Sequence, residues 1–276
     1  MFALNCKGRS LTVDKPLVMG VINVTPDSFY SGSRQSGIDE ILRAAEGMLN
    51  DGADILDIGG QSTRPQSELL SADEELNRVI RPVEAIQENF PQSFISIDTF
   101  YSKVAKEAVD AGACIVNDIS AGNMDEMIIP TTASMQVPYV LMHMQGVPQT
   151  MQVNPHYENV VEEVFIFFQQ KIMILQEAGI KDIIIDPGFG FGKTIAHNFE
   201  LLRNLHAFKK LNCPLLAGVS RKSFVYKSIC ITSENALTGT IVLNTIALMN
   251  GASILRVHDV KEAKQTIQLF KAYEKK

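Results

Sequence analysis

The 276-residue sequence predicts an α/β fold, a (β/α)₈ TIM barrel with a short N-terminal β-hairpin. Eight short apolar runs each end in a polar or charged residue, and the segments between them follow helical spacing. Alternating buried strands and helices form parallel sheets, and eight such units close into a barrel whose active site lies at the carboxyl ends of the strands. The polar run ends are therefore candidate site residues: Asn23, Asp57, Asp98, Asn117-Asp118, His143, Asp186, Ser220-Arg221-Lys222, and Arg256 with His258.

The bulk composition indicates one enzyme-sized domain spanning residues 1–276. A barrel with a small extension accounts for the whole length, and no Pro/Ser-rich linker or block of charge divides the chain. The net charge of -6 argues against nucleic acid as a partner. The first residues lack a basic segment followed by a long apolar stretch, and charged residues interrupt the richest apolar region, 160–175. We therefore expect no export signal and no membrane span.

The cysteines bear on both the compartment and the kind of metal site, and they are Cys6, Cys114, Cys213 and Cys230. No two of them form a Cys-x-x-Cys pair, and two lie in or beside apolar strand runs. This pattern favours reduced core thiols in a cytoplasmic protein over disulfides. It also excludes a zinc site built from thiolates.

The first residues of the chain predict the β-hairpin. Residues 2–4 and 11–13 are short β-prone runs on either side of Lys7-Gly8-Arg9. Because this hairpin precedes the first barrel strand, we expect it to plug the amino end of the barrel.

Helix signals follow the first two barrel strands. Apolar residues between Ile38 and Leu49 recur at helical spacing, and Gly52 stands where a left-handed C-terminal cap is expected. The second helix opens with a capping box formed by Ser71 and Glu74, and Pro91 marks its end.

A recurring glycine indicates that the rest of the chain repeats the same βα unit. Gly52, Gly112, Gly179 and Gly251 each stand shortly before an apolar run. A glycine-capped helix leading into the next strand has this pattern.

Two connections on the catalytic side are longer than a simple link requires. Residues 24–37 and 59–71 follow the first and second barrel strands and are rich in Ser, Thr, Pro, Gly and Arg. We interpret them as lids over the site, in preference to solvated loops without a function.

The glycine-rich segment 186–194 is not a nucleotide-binding loop. A Walker loop requires glycine where Pro187 stands, and the spacing of Gly188, Gly190 and Gly192 is not that of a Rossmann motif. Asp186 could cap the sixth helix. We favour the alternative, in which its carboxylate points into the barrel mouth and Phe191 supplies an aromatic wall.

The polar strand ends suggest two kinds of ligand group. Asp98, Asn117 and Asp186, with the cation of Lys222, match an aminopyrimidinone ring, because a carboxylate accepts two N–H donors and lysine meets a carbonyl oxygen. Asn23, Arg256 and His258, with no compensating carboxylate beyond Asp259, suit a phosphate group, which barrels commonly bind after the eighth strand. The substrate is therefore expected to carry both groups.

At these positions the chain resembles the dihydropteroate synthases over nearly its full length. The similar segments, in the family's order, are 23–29, 62–65, 186–193, 220–223 and 256–259. The resemblance implies condensation of a dihydropterin-methyl diphosphate with p-aminobenzoate, which releases pyrophosphate. It also implies Mg²⁺ as cofactor and a homodimer. Gln61 departs from the family pattern, which often has Glu at this position.

The resemblance also implies a role for each matching residue. The pterin would be held by Asp98, Asn117, Met142, Asp186 and Lys222, the diphosphate by Asn23, Arg256 and His258, the metal by Asn23 and Asp27, and p-aminobenzoate by Thr63, Arg64, Pro65, Phe191 and Ser223. Asp98, Lys222, Arg256 and His258 would carry the chemistry. Asp98 can stabilise a methylene cation, and Arg256 and His258, with the metal ion, offset the charge of the leaving group.

Three other functions remain open at this point. A methyltetrahydrofolate-corrinoid methyltransferase would keep the pterin carboxylates but would not require the Asn23 segment or the phosphate cluster. A Schiff-base aldolase would use Lys193 or Lys222, although such a lysine is usually desolvated within a strand. A non-catalytic pterin-binding protein would bind the ring and release no pyrophosphate.

Overall fold

The computed structural model describes residues 1–24, 34–61 and 69–275, and eight parallel strands form the sheet that the sequence predicts. The strands are β1 (Phe2–Cys6), β2 (Arg9–Val13), β3 (Leu17–Asn23), β4 (Ile55–Gly59), β5 (Phe94–Asp98), β6 (Ile115–Asp118), β7 (Tyr139–Met142), β8 (Ile183–Asp186), β9 (Leu216–Ala217) and β10 (Ile254–Val257). The helices are α1 (Arg34–Asn50), α2 (Ala72–Asn89), α3 (Ser102–Ala111), α4 (Ile128–Met135), α5 (Val160–Glu177), α6 (Ile195–Arg203), α7 (Ser223–Ser228), α8 (Leu237–Met249) and α9 (Val260–Glu274), with a 3₁₀ helix at Leu205–Leu211.

The sheet closes into a barrel. Its strand order is β8-β7-β6-β5-β4-β3-β10-β9, so the first and last barrel strands, β3 and β10, are neighbours. A single bridge between Ile185 and Leu215 joins β8 to the segment before β9, and the amide of Ile185 donates to Pro214 O at 3.0 Å. β9 is shorter than the apolar run 215–219 that predicted it. The (β/α)₈ prediction is confirmed.

The N-terminal hairpin covers the amino end of the barrel, as predicted. Lys7 and Gly8 both have positive φ, 53° and 82°, which is the backbone of a tight hairpin turn. The apolar face of the hairpin packs with residues at the starts of the barrel strands, and this cluster includes Leu4, Cys6, Leu11, Val13, Leu17, Ile55, Ile115 and Ile254. This burial excludes water from the end opposite to the polar strand ends.

The capping signals in the sequence give the expected helix ends. The Ser71 side chain accepts from the Glu74 amide, and the Glu74 carboxylate accepts from the Ser71 amide at 2.8 Å, which completes the capping box of α2. The helix ends before Pro91 but contains Pro82, which the sequence pattern did not single out. The four repeated glycines all have positive φ, as a left-handed helix cap requires: Gly52, Gly112, Gly179 and Gly251.

The structure gives the state of the cysteines and the character of the helices. All four cysteines are free thiols, and Cys6 and Cys114 are buried. No helix within the described ranges is both long and apolar enough to cross a membrane.

Candidate active site

The predicted site residues lie together because they share positions in the strand register. Asn23 of β3 pairs with Gly59 of β4, Gly59 pairs with Asp98 of β5, and Asp98 pairs with Asn117 of β6. On the next pair of strands, Met142 of β7 is in register with Asp186 of β8. These positions are the carboxyl ends of adjacent parallel strands, where the active sites of barrels lie.

The guanidinium of Arg256 is held by two carboxylates, those of Asp57 and Asp98. Its Nε donates to Asp57 Oδ2 at 2.7 Å, and its Nη2 donates to Asp98 Oδ2 at 2.6 Å. Asn117 Nδ2 also donates to Asp57 Oδ2, at 3.1 Å. Burial disfavours the charge of Arg256, but Asp57 and Asp98 outweigh it and raise the pKa of the guanidinium. The expectation that no carboxylate beyond Asp259 compensates this cluster was therefore wrong.

Asp57 connects the two predicted subsites, although sequence reasoning noted it only as a strand end. It is completely buried, and its other oxygen, Oδ1, has no hydrogen-bond donor among the described residues. One of its oxygens therefore holds a residue expected at the ring, Asn117, and a residue expected at the phosphate, Arg256. The sequence signal for this role was a charged residue inside an otherwise apolar, buried strand.

The protonation state of Asp98 depends on its burial and on the charged groups around it. Its side chain retains 16% exposure, yet it is enclosed by protein on most sides. This burial raises the pKa of Asp98 to about 7, with Arg256 opposing the rise and Asp57 and Asp118 adding to it. A cationic group placed next to Asp98 would therefore favour its carboxylate form.

Asp186 and Lys222 face the same space from the other side of the barrel. Burial raises the pKa of the Asp186 carboxyl, although Lys222 opposes that shift. Burial also lowers the pKa of Lys222 to about 8, although Asp186 favours its charged form. A methyl group on Gly218 would lie 3.8 Å from both Asp186 Oδ2 and Lys222 Nζ. Gly218 therefore lies between a carboxylate and an ammonium group and places no side chain between them.

Phe191 and the glycine-rich segment complete this side. Lys222 Nζ lies 4.4 Å from the centre of the Phe191 ring and donates to Phe189 O. Asp186 Oδ1 accepts from the Gly188 amide at 2.8 Å, whereas Thr194 caps α6. Asp186 is therefore not the cap of this helix, which was the alternative to a place in the barrel mouth.

Lys193 fixes the shape of the glycine-rich segment. Its buried Nζ contacts His143 Nδ1 at 3.0 Å, Gly188 O at 3.1 Å and Phe191 O at 3.0 Å. Burial lowers the pKa of Lys193 well below its usual range. Desolvation alone would suit a Schiff-base lysine, but Nζ of Lys193 is enclosed by His143 and by carbonyl oxygens of its own loop, which leaves no space for a substrate carbonyl. Sequence reasoning missed this clamp, since the three acceptors are set only by the fold.

His258 stands at the end of β10 beside a second set of polar groups. Its Nδ1 lies 3.0 Å from Ser220 Oγ, and Arg221 binds Asp259 through two hydrogen bonds of 2.8 Å. The ring reaches solvent, but dense protein on its other side and the charge of Arg256 lower the pKa of His258 to about 4. The positive charges of Arg221 and Lys222 lower the pKa of His258 further, because they repel a protonated ring.

The comparisons with known proteins agree with this geometry. The family model for pterin binding enzymes matches residues 19–258. The chain is 42% identical to the dihydropteroate synthase of Escherichia coli (strain K12), and the match covers 98% of this chain and 95% of that protein. The chain belongs to the dihydropteroate synthase family.

Two crystal structures of dihydropteroate synthases share the whole fold. The enzyme of Yersinia pestis, in complex with a sulfonamide drug, is 39% identical, with a TM-score of 0.93 and full coverage of both chains. The enzyme of Xanthomonas albilineans with 4-aminobenzoic acid is 38% identical, with a TM-score of 0.92 and coverage of 99% of this chain and 98% of that chain.

Some of the residues predicted from the family resemblance lie outside the described residues. They are Asp27, expected at the metal, and Thr63, Arg64 and Pro65, expected at p-aminobenzoate. Both long connections that we interpreted as lids include such residues. Among the remaining residues, Ser223 begins α7 and Met142 packs in an apolar cluster with Phe191.

Gln61, which departs from the family pattern, closes the base of the second long connection. Its Nε2 donates to Leu70 O at 3.0 Å, and its Oε1 accepts from the Leu70 amide at 3.2 Å. A glutamate could not donate the first of these bonds. Close by, Glu75 is completely buried, and neither of its oxygens has a hydrogen bond of normal geometry within the described chain.

Proposed function

We propose that this chain is a dihydropteroate synthase that joins 6-hydroxymethyl-7,8-dihydropterin diphosphate to p-aminobenzoate, with 7,8-dihydropteroate and pyrophosphate as products. The observation that carries the proposal is the shared use of Asp57 and Asp98 by Arg256, which brings ring-binding and phosphate-binding groups into one network. A ligand with both a ring and a diphosphate can engage this network at two points. The relatives at about 40% identity support the same reaction.

The ring would lie over Gly218, between the two sides of the barrel mouth. Asp186 would accept from the amino group and the adjacent ring N–H, Lys222 would donate to the carbonyl oxygen, and Asn117 with Asp98 would bind the opposite edge. Met142, which is 3% exposed, offers an apolar contact. Each polar edge of the ring thus meets a group of complementary hydrogen-bonding type.

The diphosphate would lie toward Asn23, Arg256 and His258. Nη1 of Arg256 has no partner among the described hydrogen bonds, so it can bind phosphate while Nε stays on Asp57. Asn23 is exposed at the end of β3 and offers a carboxamide oxygen. The metal would be held by Asn23 and Asp27, and a site with two protein oxygen ligands fits Mg²⁺, which keeps waters and binds substrate phosphates.

The reaction then follows from the leaving group. The C–O bond to the pterin methylene breaks, and its electron pair leaves with pyrophosphate, whose charge Arg256 offsets. Bound Mg²⁺ would neutralise further charge on the same oxygens. The carboxylate of Asp98 stabilises the methylene cation. The amine of p-aminobenzoate forms the C–N bond with its lone pair, and its extra proton passes to solvent; we assign no general base.

The aryl acid would bind beside the methylene, with Phe191 and Ser223 on one side. Phe191 is 9% exposed and is fixed through its carbonyl by Lys193. Thr63, Arg64 and Pro65 are proposed to complete this subsite. Because a sulfonamide presents a similar aniline and acidic group, we expect it to compete with p-aminobenzoate.

We further propose that the enzyme is a cytoplasmic homodimer. Four free thiols suit a reducing compartment. Ile229, Val242 and Met249 are each more than half exposed on and near α8, which gives an apolar surface suited to a second copy. Sedimentation equilibrium would test the dimer.

The decisive experiment measures pyrophosphate release by the purified protein. We expect release that requires both the dihydropterin diphosphate and p-aminobenzoate, together with the appearance of dihydropteroate. Asp110→Asn, a change on the exposed face of α3, is the control for handling and folding. Binding of the pterin without release would identify a non-catalytic pterin-binding protein. Methyl transfer to a corrinoid without pyrophosphate release would identify the methyltransferase.

A further inference from the structure

Ser220 and His258 meet at the ends of two neighbouring strands, β9 and β10. The Oγ atom of Ser220 lies 3.0 Å from Nδ1 of His258 and accepts a hydrogen bond from the His258 backbone amide at 3.2 Å. Ser220 is 4% exposed, so its hydroxyl has little access to water. The sequence marks Ser220 as a candidate site residue at a strand end, but the reaction as described so far gives it no role.

The hydrogen-bonding capacity of the hydroxyl determines which ring nitrogen carries the proton. A serine hydroxyl has one proton to donate and two lone pairs. One lone pair is taken by the His258 amide, and Nδ1 is the acceptor within reach among the described residues. If Nδ1 were protonated, the hydroxyl would accept twice and its own proton would be buried without a partner, which is costly. The hydroxyl therefore donates to Nδ1, and the proton of the neutral ring lies on Nε2.

The neighbouring pair keeps this contact in place. Arg221 has a φ of 53°, in the left-handed region, and its guanidinium binds both oxygens of Asp259. Ser220–His258 and Arg221–Asp259 are thus adjacent links between the same two loops. The guanidinium also donates to Ser233 O and Glu234 O, so the strained backbone is held from two directions.

We propose that Ser220 is a positioning residue that holds His258 in the Nε2–H tautomer, so that the ring presents a hydrogen-bond donor to the diphosphate. The proposal rests on the proposed function, which places the diphosphate at His258. In the opposite tautomer, the Nε2 lone pair would face the phosphate oxygens. A neutral imidazole can bind an anion only through its single N–H, so the serine decides whether this residue attracts or repels the leaving group.

The direct test is ¹⁵N NMR of histidine-labelled, ligand-free protein, in which long-range ¹H–¹⁵N correlations identify the protonated ring nitrogen. His258→Gln assigns the signals of this ring among the five histidines. We expect Nε2–H in the wild type and in Ser220→Thr, which keeps the hydroxyl. Ser220→Ala should shift the ring toward Nδ1–H. Ser228→Ala, which removes a hydroxyl bound to Phe224 O on α7, should change nothing.

Calorimetry with pyrophosphate gives the functional readout. Ser220→Ala should weaken pyrophosphate binding by about tenfold or more, the range for a lost hydrogen bond to a charged group, and leave the affinity for a dihydropterin without phosphate unchanged. Ser220→Thr should restore most of the loss. An Nδ1–H ring in the wild type, or an unchanged tautomer in folded Ser220→Ala, would overturn the proposal. If Ser220→Ala does not fold, Ser220→Gly, which also removes the hydroxyl, takes its place in both measurements.

The two proposals fail in different ways. An Nε2–H ring in a protein that releases no pyrophosphate would refute the synthase activity and leave the role of Ser220 intact. Pyrophosphate release by a protein whose ring carries the proton on Nδ1 would do the reverse.

Discussion

Replacing Asp57 with asparagine should destabilise the protein, because one buried carboxylate oxygen holds Arg256 and Asn117 together. The asparagine side chain is nearly the same size as that of aspartate, so the change removes charge and leaves little cavity. Arg256 would keep its bond to Asp98 at 2.6 Å but lose the charge of its other partner. The expected result is a lower free energy of unfolding.

The magnitude follows from the two contacts of Arg256 with Asp57, at 2.7 Å for Nε and 2.6 Å for Nη2. Of these contacts, the one made by Nε is a hydrogen bond, whereas Nη2 makes an ion-pair contact and donates its hydrogen bond to Asp98. A hydrogen bond between charged groups contributes about 1.5–3 kcal/mol, and Asp57→Asn removes the charge of the acceptor. The free energy of unfolding should therefore fall by up to about 1.5–3 kcal/mol, since Asp57 is completely buried and solvent does not screen the pair.

Urea unfolding followed by circular dichroism measures this change, provided that the slope against urea concentration stays constant. Asp110→Asn is the matched control, because its pair with Lys106 is exposed and 3.2 Å long. Such pairs contribute roughly 0.3–0.5 kcal/mol, so the control should differ little from the wild type.

A double-mutant cycle identifies the partner. Arg256→Met and Asp57→Asn should show a coupling energy of about 1–3 kcal/mol, because each removes the other's contact. If Asp57→Asn is as stable as the control, or if the two changes are additive, the ion pair does not hold the site together as described.

Three further predictions concern individual groups. Asp186→Asn should weaken dihydropterin binding by about 10- to 150-fold, because an amide N–H would oppose a ring N–H; calorimetry on the folded variant tests this, and unchanged affinity would place the ring elsewhere. Arg256→Ala should weaken pyrophosphate binding at least tenfold more than binding of a dihydropterin without phosphate, and equal losses would contradict its phosphate role. Burial raises the pKa of Glu75 from 4.5 to about 7, so its stabilising contribution is present below pH 4.5 and is lost as the pH rises to about 7. Glu75→Gln should therefore gain stability relative to the wild type across this range, by up to about 3 kcal/mol, while Glu88→Gln on the exposed face of α2 shows no such trend in urea unfolding at pH 4 and pH 8.

The position of the site could be predicted from the sequence because strand ends are local signals. A buried run followed by a polar residue marks the carboxyl end of a strand, and parallel pairing then aligns Asn23, Asp98 and Asn117 without further information. The glycine caps of the helices could be predicted for the same reason, since each depends on the backbone conformation of one residue. Fold class and element order followed from this periodic information.

The partners across the barrel could not be predicted in the same way. Arg256 and Asp57 are 199 residues apart in sequence, and only the closed barrel and the direction of their side chains bring them together. Asp259 was expected to compensate Arg256 because it is close in sequence, whereas it binds Arg221 instead. The contacts of Lys193 escaped notice for a similar reason, because its acceptors are mostly backbone carbonyls that carry no sequence signature.

The pairing of β3 with β10 has a consequence for how the chain acquires its structure. These strands occupy residues 17–23 and 254–257, so the barrel cannot close until every residue between them has left the ribosome. Until then, the edge of β3 that will pair with β10 presents unpaired backbone groups, and nascent chains can associate through this edge. Closure of such distant strands is also slow, because a long loop must be ordered before the contact forms. Arg256 lies on the last barrel strand, so the cation that links the two halves of the site is in place only when the barrel closes.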